Sequence, residues 1–562
     1  MAKKAAPSPS DASSAGFDRR SFLKGAAAGG AATLAGAAFG QSGAGPASAS
    51  DPAAAAGSRP APFELDEAAL GDLQRRMADG GLSALRLTEL YLGRIEALNR
   101  RGPELRAVIE TNPDAPGIAA ALDRERREKG PRGPLHGIPI LLKDNIDTHD
   151  RMTTTAGSLA LEGSVPPRDS FVAERLRAAG AVLLGKANLS EWANIRSSRS
   201  TSGWSARGGQ CRNPYALDRN PCGSSSGSGA AVAANLCAIA VGTETDGSII
   251  CPSAMNGIVG IKPTVGLVSR AGIIPISHSQ DTAGPMARTV RDAAILLGAL
   301  AGADPRDGAT AAAREHLAAD YTRFLDPDGL RGARIGVARQ RLFGYSPAAD
   351  ASVENALDLM RRAGAEIVDP ADLPSSADFD RDETEVLLYE LKADLNAYLA
   401  SLGKAAPVKS LGEIIHFNEK NKEKEMPYFG QELFLLAQEK GPLTEQAYLA
   451  ALAHGKRRAG AEGIDAVMDQ HQLDALVAPS VSPAYPIDWL NGDHFLGAST
   501  SAAAIAGYPN VTVPCGFALG LPLGISFFGR AWSEAILIRL AYAFEQQSRS
   551  RRPPEFRSTI AG

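Results

Sequence analysis

Cysteine and histidine are scarce in this sequence, and their spacing matches no metal-binding pattern. The 562 residues include five cysteines and eight histidines. There is no C-x-x-C pair and no H-E-x-x-H motif, so the common zinc-site spacings are absent. We therefore expect no metal and no cofactor. A disulfide between Cys211 and Cys222 stays open for an oxidising compartment, but five scattered cysteines do not form a disulfide framework.

Basic charge and long apolar runs are also lacking. The formal net charge is -4, and no stretch is dense in lysine and arginine. Nucleic-acid-binding surfaces concentrate those residues, so we expect no nucleic-acid partner. The run "GAAAGGAATLAGAAF" near the start is too short and too rich in glycine and alanine to span a bilayer stably. We expect no stable membrane anchoring.

The N-terminus instead has the pattern of an export signal. Arg19 and Arg20 in "FDRRSFLK" precede the weakly apolar run, and "PASAS" then offers a small-residue cleavage site. Paired arginines in this position are typical of the twin-arginine pathway. We predict that residues 1–49 are removed on export and that residues 50–62 form a flexible segment. The mature protein would then be periplasmic or secreted.

The rest of the chain alternates amphipathic helices with short apolar strands. In 171–188 a helical pattern ends at Gly180 and "AVLLG" follows, and 353–370 repeats this pattern around Gly364. The segments "LDALVAPS", "NVTVPCGF" and "PLGISFFG" indicate further strands. Alternating helices and nearly continuous apolar strands predict an α/β domain around a buried sheet.

No linker of flexible composition divides this domain. Residues 305–470 are more charged and more helical, and we interpret them as an elaboration of the same unit. The predicted catalytic domain therefore covers residues 63–550, followed by a C-terminal tail at 551–562. We expect a monomer or a homodimer.

The Ser/Gly loop "PCGSSSGSGA" (221–230) has three possible interpretations. A flexible linker is disfavoured because the loop runs directly into the helix-forming "AAVAANL" and the strand-like "AIAVGTE". A phosphate-binding loop would require a lysine after the glycines, and none is present. The match of "GSSSG" to G-x-S-x-G would make Ser225 the nucleophile of an α/β-hydrolase-type esterase.

That third interpretation needs a strand directly before the loop, and an acid and a histidine after it. The preceding "CRNPYALDRNPC" contains two prolines and is typical of a loop. Several histidines follow the loop, none of them in a distinctive context: His278, His416, His454, His471 and His494.

The segment "GTETDGSI" (242–249) predicts a tight turn after a strand. Its successive backbone N–H groups at Thr245, Asp246, Gly247 and Ser248 could converge on one point, as an oxyanion requires. An ordinary structural turn is the default alternative for so short a pattern.

In "GIPILLKDNIDT" (137–148), Lys143 ends an apolar, strand-like run. A strand-end lysine ordinarily reaches solvent. If Lys143 is buried beside hydroxyl groups instead, its amine would favour the neutral form and could accept a proton. Lys186 and Lys262 are alternatives, although neither follows so long an apolar run.

Together, these three segments resemble the amidase signature family, whose catalytic set is Ser–cisSer–Lys. The resemblance continues through "PSAMNGIVGIKPTVGLVSRAGIIPIS", "SQDTAGPMAR", "YPNVTVPCG" and "GLPLGISFFG", and so covers about residues 65–550. It implies a single large α/β domain in which helices cover both faces of a central, mostly mixed β-sheet. It also implies an enzyme that hydrolyses amides through an acyl-enzyme.

The resemblance assigns roles to matching positions. Ser248 would be the nucleophile, Ser224 the bridging serine in a cis peptide, and Lys143 the general base. The backbone N–H groups of residues 245–248 would form the oxyanion hole. Ser225 would support the loop rather than attack.

One departure from the family pattern stands out. Many members read G-T-D-x-G-G-S where this chain reads "GTETDGS", which places the carboxylate of Asp246 near the oxyanion region. That turn, together with "SGWSARGGQCRNPY", "PCGSSSGSG" and "FGQELF", resembles the bacterial peptide amidases. The resemblance implies hydrolysis of the C-terminal carboxamide of peptides, with release of ammonia.

Other functions are compatible with parts of this pattern. A broader aryl or acyl amidase would share the same motifs, and a component of an amidotransferase that acts on charged tRNA would be separated from its partners by export. A noncatalytic binding protein would be expected to lose Lys143, Ser224 or Ser248, and all three are present. Asp281 and Trp204 could line the site, or could simply cap a loop and pack against neighbours.

Overall fold

The computed structural model describes residues 62–374 and 379–561. The predicted export signal (1–49) and nearly all of the predicted flexible segment lie outside these residues. Thirteen strands are described, in chain order: β1 (Val108–Thr111), β2 (Pro139–Lys143), β3 (Val182–Ala187), β4 (Trp204–Ser205), β5 (Gly209–Gln210), β6 (Ile239–Glu244), β7 (Val259–Lys262), β8 (Thr282–Ala287), β9 (Arg334–Val337), β10 (Glu366–Val368), β11 (Ala475–Pro479), β12 (Asn510–Ala518) and β13 (Leu521–Phe528).

The α-helices of the described residues number sixteen. They are α1 (Leu70–Ala78), α2 (Ala84–Ile95), α3 (Ala115–Lys129), α4 (Phe171–Ala178), α5 (Ser226–Ala233), α6 (Ile250–Met255), α7 (Val290–Leu300), α8 (Pro347–Arg362), α9 (Phe379–Ser401), α10 (Leu411–Lys420), α11 (Lys422–Glu425), α12 (Glu432–Gln438), α13 (Gln446–Ala459), α14 (Asp465–His471), α15 (Ser501–Ala506) and α16 (Glu534–Ser548). None of these helices is both long enough and apolar enough to cross a membrane.

Eleven of the strands form one mixed sheet, in the order β1-β3-β2-β6-β8-β7-β12-β13-β11-β9-β10. β3, β2 and β6 run parallel, as do β11, β9 and β10, and the other neighbours are antiparallel. β2, β6, β8 and β13 are buried along their whole length. Strands buried on both faces need helices on both faces. The predicted α/β fold, with a mixed sheet covered on both sides, is confirmed.

The local patterns that predicted helix followed by strand are also confirmed. In 171–188, α4 ends at Ala178 and β3 begins at Val182, with Gly180 between them at φ 78°. In 353–370, α8 ends before Gly364 and β10 follows. These elements depend on local periodicity and a glycine break, so the sequence carries enough information to place them.

The predicted helical elaboration at 305–470 contains α8 to α13, and it also contributes β9 and β10 to the central sheet. The C-terminal segment lies against the body, because the Arg551 side chain donates to the Glu67 carboxylate at 2.7 Å and to the Gly257 carbonyl at 2.7 Å. The boundaries at 63 and 550 stay predictions.

All five cysteines are described, and all are free thiols. Four are buried, and Cys515 is partly buried. Burial raises the pKa of the thiols of Cys211, Cys237 and Cys515. The disulfide that the sequence left open between Cys211 and Cys222 is therefore not formed in this structure. Raised pKa values keep the thiols of Cys211, Cys237 and Cys515 protonated and poorly reactive.

We predict that the native protein reacts slowly with a thiol reagent such as a disulfide dye. After unfolding in urea without reductant, it should release five equivalents of reporter, one for each free cysteine. Spectrophotometric titration measures both values. Three equivalents after unfolding would instead reveal one disulfide.

A second prediction concerns the close packing at the start of α5. A Cβ atom at Gly227 would lie 2.2 Å from the Ala107 carbonyl oxygen and 2.5 Å from the Asn188 amide nitrogen, both of them backbone atoms. Gly227→Ala should lower the free energy of unfolding by about 3 kcal/mol, since overpacking against backbone has little room to relax. Urea denaturation, monitored by circular dichroism, measures this loss in the free energy of unfolding.

Gly298→Ala is the matched control. Gly298 lies inside α7, and the nearest atom to a Cβ there is 3.8 Å away. This substitution should be neutral or should raise stability by about 0.5–1 kcal/mol, the usual gain of alanine over glycine inside a helix. Equal losses in the two variants would contradict the packing described for α5.

Candidate active site

Lys143 is the last residue of β2 and is completely buried. Its Nζ donates to Ser224 Oγ at 2.7 Å, to Thr243 Oγ1 at 2.8 Å and to the Thr243 carbonyl oxygen at 3.2 Å. β2 and β6 are parallel neighbours in the sheet, which brings Thr243 beside the end of β2. The ordinary interpretation of Lys143, a strand-end lysine that reaches solvent, is therefore wrong.

Burial lowers the pKa of Lys143 to about 7, because the ammonium form loses its hydration. The nearby carboxylates of Asp281 and Glu244 act in the opposite direction and raise it. Above pH 7 the neutral amine therefore predominates. Its lone pair can accept a proton from the Ser224 hydroxyl that it contacts.

The two alternative lysines are buried as well. Lys186 Nζ donates to Thr154 Oγ1 at 2.8 Å, and Lys262 Nζ donates to the Ala503 carbonyl at 3.2 Å. Burial lowers both pKa values, to about 8 for Lys262. Neither amine hydrogen-bonds to the Ser/Gly loop within the described residues. Of the three, Lys143 is the lysine that the fold brings to that loop.

The Ser/Gly loop enters α5 without a preceding strand, as its prolines predicted. The Gly223–Ser224 peptide bond is cis. The Ser225 hydroxyl is buried, donates to the Thr243 carbonyl at 3.0 Å and accepts from the Thr243 amide at 3.2 Å. A hydroxyl engaged on both sides with the backbone is poorly placed to attack a substrate. This geometry disfavours the nucleophile-elbow alternative.

Ser248 follows the turn that leaves β6 and precedes α6. Its carbonyl accepts from the Ser225 amide at 3.1 Å, which joins this turn to the Ser/Gly loop. The Ser248 residue is 8% exposed, and its hydroxyl makes no hydrogen bond to any described residue. The structure thus brings Lys143 into contact with Ser224 and joins the Ser/Gly loop to the turn that bears Ser248.

The turn itself is fixed by a buried carboxylate. Glu244 Oε2 accepts from the amides of Ile249 at 2.7 Å and Ile250 at 2.9 Å, and burial raises the pKa of this carboxyl. Gly247 adopts φ 78°, a conformation that favours glycine. The amides of Gly247 and Ser248 donate no hydrogen bond within residues 62–374 and 379–561. Buried donors left open in this way suit a developing oxyanion.

The side chains of the turn have their own partners. Thr245 Oγ1 donates to Asp281 Oδ1 at 2.6 Å, and Asp246 Oδ2 accepts from Ser501 Oγ at 2.8 Å. Asp281 therefore supports the turn through the Thr245 side chain, and burial raises the pKa of Asp281 to about 6. Trp204 packs edge-on against Phe429, with ring centroids 5.2 Å apart.

Sequence reasoning missed Thr243, which contacts Lys143, Ser225 and Asn145. The available signal was a polar residue near the end of an otherwise apolar strand. Gln280 was also missed: its Nε2 donates to the Thr245 carbonyl at 3.3 Å. That contact joins residues 35 positions apart, and no local pattern indicates it.

A metal could be held by one group of side chains in the described part of the chain: His278, Glu390 and Asp394. The potential ligand atoms already pair with one another, since His278 Nδ1 lies 2.9 Å from Asp394 Oδ2 and His278 Nε2 lies 3.3 Å from Glu390 Oε1. Tyr448 also donates to Glu390 at 2.7 Å. Ion pairing and hydrogen bonding account for this group, so the absence of a metal site stays a prediction.

Comparison with known proteins places this arrangement in a family. A family model described as Amidase matches residues 86–538, and a model of the twin-arginine translocation signal sequence matches residues 16–36. The solved structure of native peptide amidase from Stenotrophomonas maltophilia is similar at a TM-score of 0.85 and 56% identity, covering 88% of this chain and 100% of that one.

Two curated relatives extend the comparison. The "Probable amidase" of Arabidopsis thaliana is 44% identical over 88% of this chain and 92% of its own length. A component of the glutamyl-tRNA(Gln) amidotransferase of Roseiflexus sp. (strain RS-1) is 36% identical over 86% of this chain and 96% of its own length. The chain therefore belongs to the amidase family, as an amide-hydrolysing enzyme with a twin-arginine export signal.

Proposed function

We propose that this enzyme hydrolyses the C-terminal carboxamide of peptides to the free acid and ammonia, with Ser248 as nucleophile, Ser224 as bridging serine and Lys143 as general base. The observation that carries the proposal is the 2.7 Å contact between the fully buried Lys143 amine and the Ser224 hydroxyl. The export signal supports action outside the cytoplasm, in the periplasm or the medium.

The proposed reaction starts with the neutral Lys143 amine. The amine takes the Ser224 proton as Ser224 takes the proton of Ser248, and Ser248 Oγ attacks the amide carbonyl carbon. The negative oxygen of the tetrahedral intermediate binds backbone N–H groups of the turn at 245–248. Collapse breaks the C–N bond while the relay returns its proton to the leaving nitrogen, which departs as ammonia. Water then hydrolyses the acyl-enzyme by the same relay.

Two observations support peptide amides as the substrate class. The solved relative with 56% identity is a peptide amidase, and the identity extends over 88% of this chain. The turn also reads "GTETDGS", with Asp246 at the position where many members of the family have glycine, and this sequence resembles the bacterial peptide amidases. The amidotransferase relatives act on charged tRNA by their name, and the export signal at 16–36 argues against that role here.

The direct test measures ammonia release from an N-acetylated dipeptide amide by the wild type, Ser248→Ala and Ser225→Ala. We expect release by the wild type and a loss of about 10⁴-fold or more in Ser248→Ala, as for other catalytic nucleophiles. Ser225→Ala should be destabilised by about 1–3 kcal/mol, because it leaves the buried Thr243 amide unpaired, yet it should remain far more active than Ser248→Ala.

Activity that survives Ser248→Ala but disappears in Ser225→Ala would support the nucleophile-elbow hypothesis, in which Ser225 is the nucleophile. A peptide anilide and a long-chain fatty amide are assayed in parallel. If either is hydrolysed while the peptide amide is not, the enzyme is an aryl or acyl amidase instead.

A further prediction concerns pH. Because the base acts as a neutral amine with a pKa of about 7, kcat/KM should rise with pH up to about 7 and then level off. Below that value the amine is protonated, and the rate should fall about tenfold per pH unit. An N-acetylated peptide amide, which does not titrate in this range, is assayed between pH 5 and 9. If kcat/KM instead rises with a midpoint above pH 9, near the ordinary pKa of lysine, the role of a desolvated amine is contradicted.

A further inference from the structure

We propose that Gln280 and Asp281 are positioning residues that hold Thr245 and thereby aim the N–H groups of the turn at the carbonyl oxygen of the substrate. The proposal rests on the function proposed above. Neither residue is assigned to the proton relay, and neither contacts Lys143 through a hydrogen bond in the described residues.

Both residues hydrogen-bond to Thr245: Asp281 accepts from its hydroxyl, and Gln280 donates to its carbonyl. Asp281 Oδ1 accepts from Thr245 Oγ1 at 2.6 Å, while Oδ2 accepts from the amides of Ile276 at 2.8 Å and Ser277 at 2.9 Å. Gln280 Nε2 donates to the Thr245 carbonyl oxygen at 3.3 Å. Thr245 is therefore fixed at two separate atoms by adjacent residues of another segment.

Fixing the Thr245 carbonyl determines where the next amide points. The carbonyl and the N–H of one trans peptide unit point in opposite directions, and the unit is planar. A carbonyl directed at Gln280 therefore turns the Asp246 N–H to the opposite side. The Gly247 carbonyl is fixed similarly, because it accepts from the Cys251 amide at 2.8 Å, which turns the Ser248 N–H away from α6.

The segment that carries Gln280 and Asp281 is itself hydrogen-bonded to α9. Gln280 Nε2 also donates to Glu383 Oε1 at 2.9 Å, and the Ser279 hydroxyl donates to Glu390 Oε2 at 2.9 Å. Gln280 and Glu383 are each 2% exposed, so these bonds are shielded from water. The Gln280 side chain thus connects α9 to the turn of the proposed oxyanion hole, because it hydrogen-bonds to both Glu383 and the Thr245 carbonyl.

The test compares Gln280→Met, which keeps the length of the side chain and removes the donor, with the pair Thr245→Val and Thr245→Ser. Valine removes the hydroxyl bonded to Asp281, and serine keeps it. Ser269→Ala is the control, because Ser269 Oγ donates to the buried Asp304 carboxylate at 2.7 Å in the same kind of bond elsewhere in the fold. Kinetic constants for the peptide amide and thermal midpoints are measured for all four variants.

Gln280→Met and Thr245→Val should lower kcat about 10- to 100-fold with little change in KM, less than the ~10²–10³-fold cost of losing an oxyanion donor outright. Thr245→Ser should recover most of the activity, and Ser269→Ala should remain close to the wild type. Affinity for a peptide aldehyde, whose adduct with Ser248 carries an oxyanion, should fall in parallel with kcat/KM. Affinity for the product acid should stay unchanged.

The proposal is overturned if Gln280→Met and Thr245→Val keep the wild-type kcat, or if Thr245→Ser is as impaired as Thr245→Val. It is also overturned if aldehyde and product affinities fall together. If Gln280→Met fails to fold, the valine and serine variants still decide. Failure of the proposed function has a different signature, since the wild type would then release no ammonia or Ser248→Ala would remain active.

Discussion

The amine of Lys143 lies in a part of the protein that water does not reach, and the chemistry proposed for the site depends on that placement. A buried ammonium ion loses hydration, so burial lowers the pKa of Lys143 to about 7 and favours the neutral amine. Its position at the end of β2, a strand buried on both faces between β3 and β6, removes the solvent. Without that burial the lysine would be a cation at neutral pH and could not accept a proton from Ser224.

The remaining parts of the site are attached to the same region of the sheet. β6 runs parallel to β2 and places Thr243 within hydrogen-bonding distance of the Lys143 amine. The chain then continues from β6 into the turn that carries Ser248. The Ser225 amide bonds to the Ser248 carbonyl and its hydroxyl bonds to Thr243, so the Ser/Gly loop is fixed to both. Two carboxylates fix the turn. Glu244, at the end of β6, accepts from the Ile249 amide, and Asp281, in the segment hydrogen-bonded to α9, accepts from the Thr245 hydroxyl.

The parts of the structure that local sequence determines were predictable. Helix followed by strand at 171–188 and at 353–370 follows from periodicity and a glycine break, and the sheet class follows from continuous apolar strands. The three motifs around Lys143, Ser224 and Ser248 also came together in space as the family resemblance implied. Their catalytic roles remain proposals, as do the domain boundaries.

Other features could not be predicted because they depend on contacts between distant segments. Lys143, Lys186 and Lys262 are all fully buried in strands, so burial alone does not distinguish them, and only their neighbours do. Gln280 reaches Thr245 and Glu383 from a loop whose sequence gives no sign of either partner.

The most direct test of the central claim is to locate the group that a fluorophosphonate modifies, by tandem mass spectrometry of the wild type and of Lys143→Ala after equal exposure at pH 7.5. If the buried neutral amine activates Ser248 through Ser224, the label lies on Ser248 in the wild type and is essentially absent from the variant. A label on Ser225, or equal labelling of Ser248 in both proteins, would contradict this account.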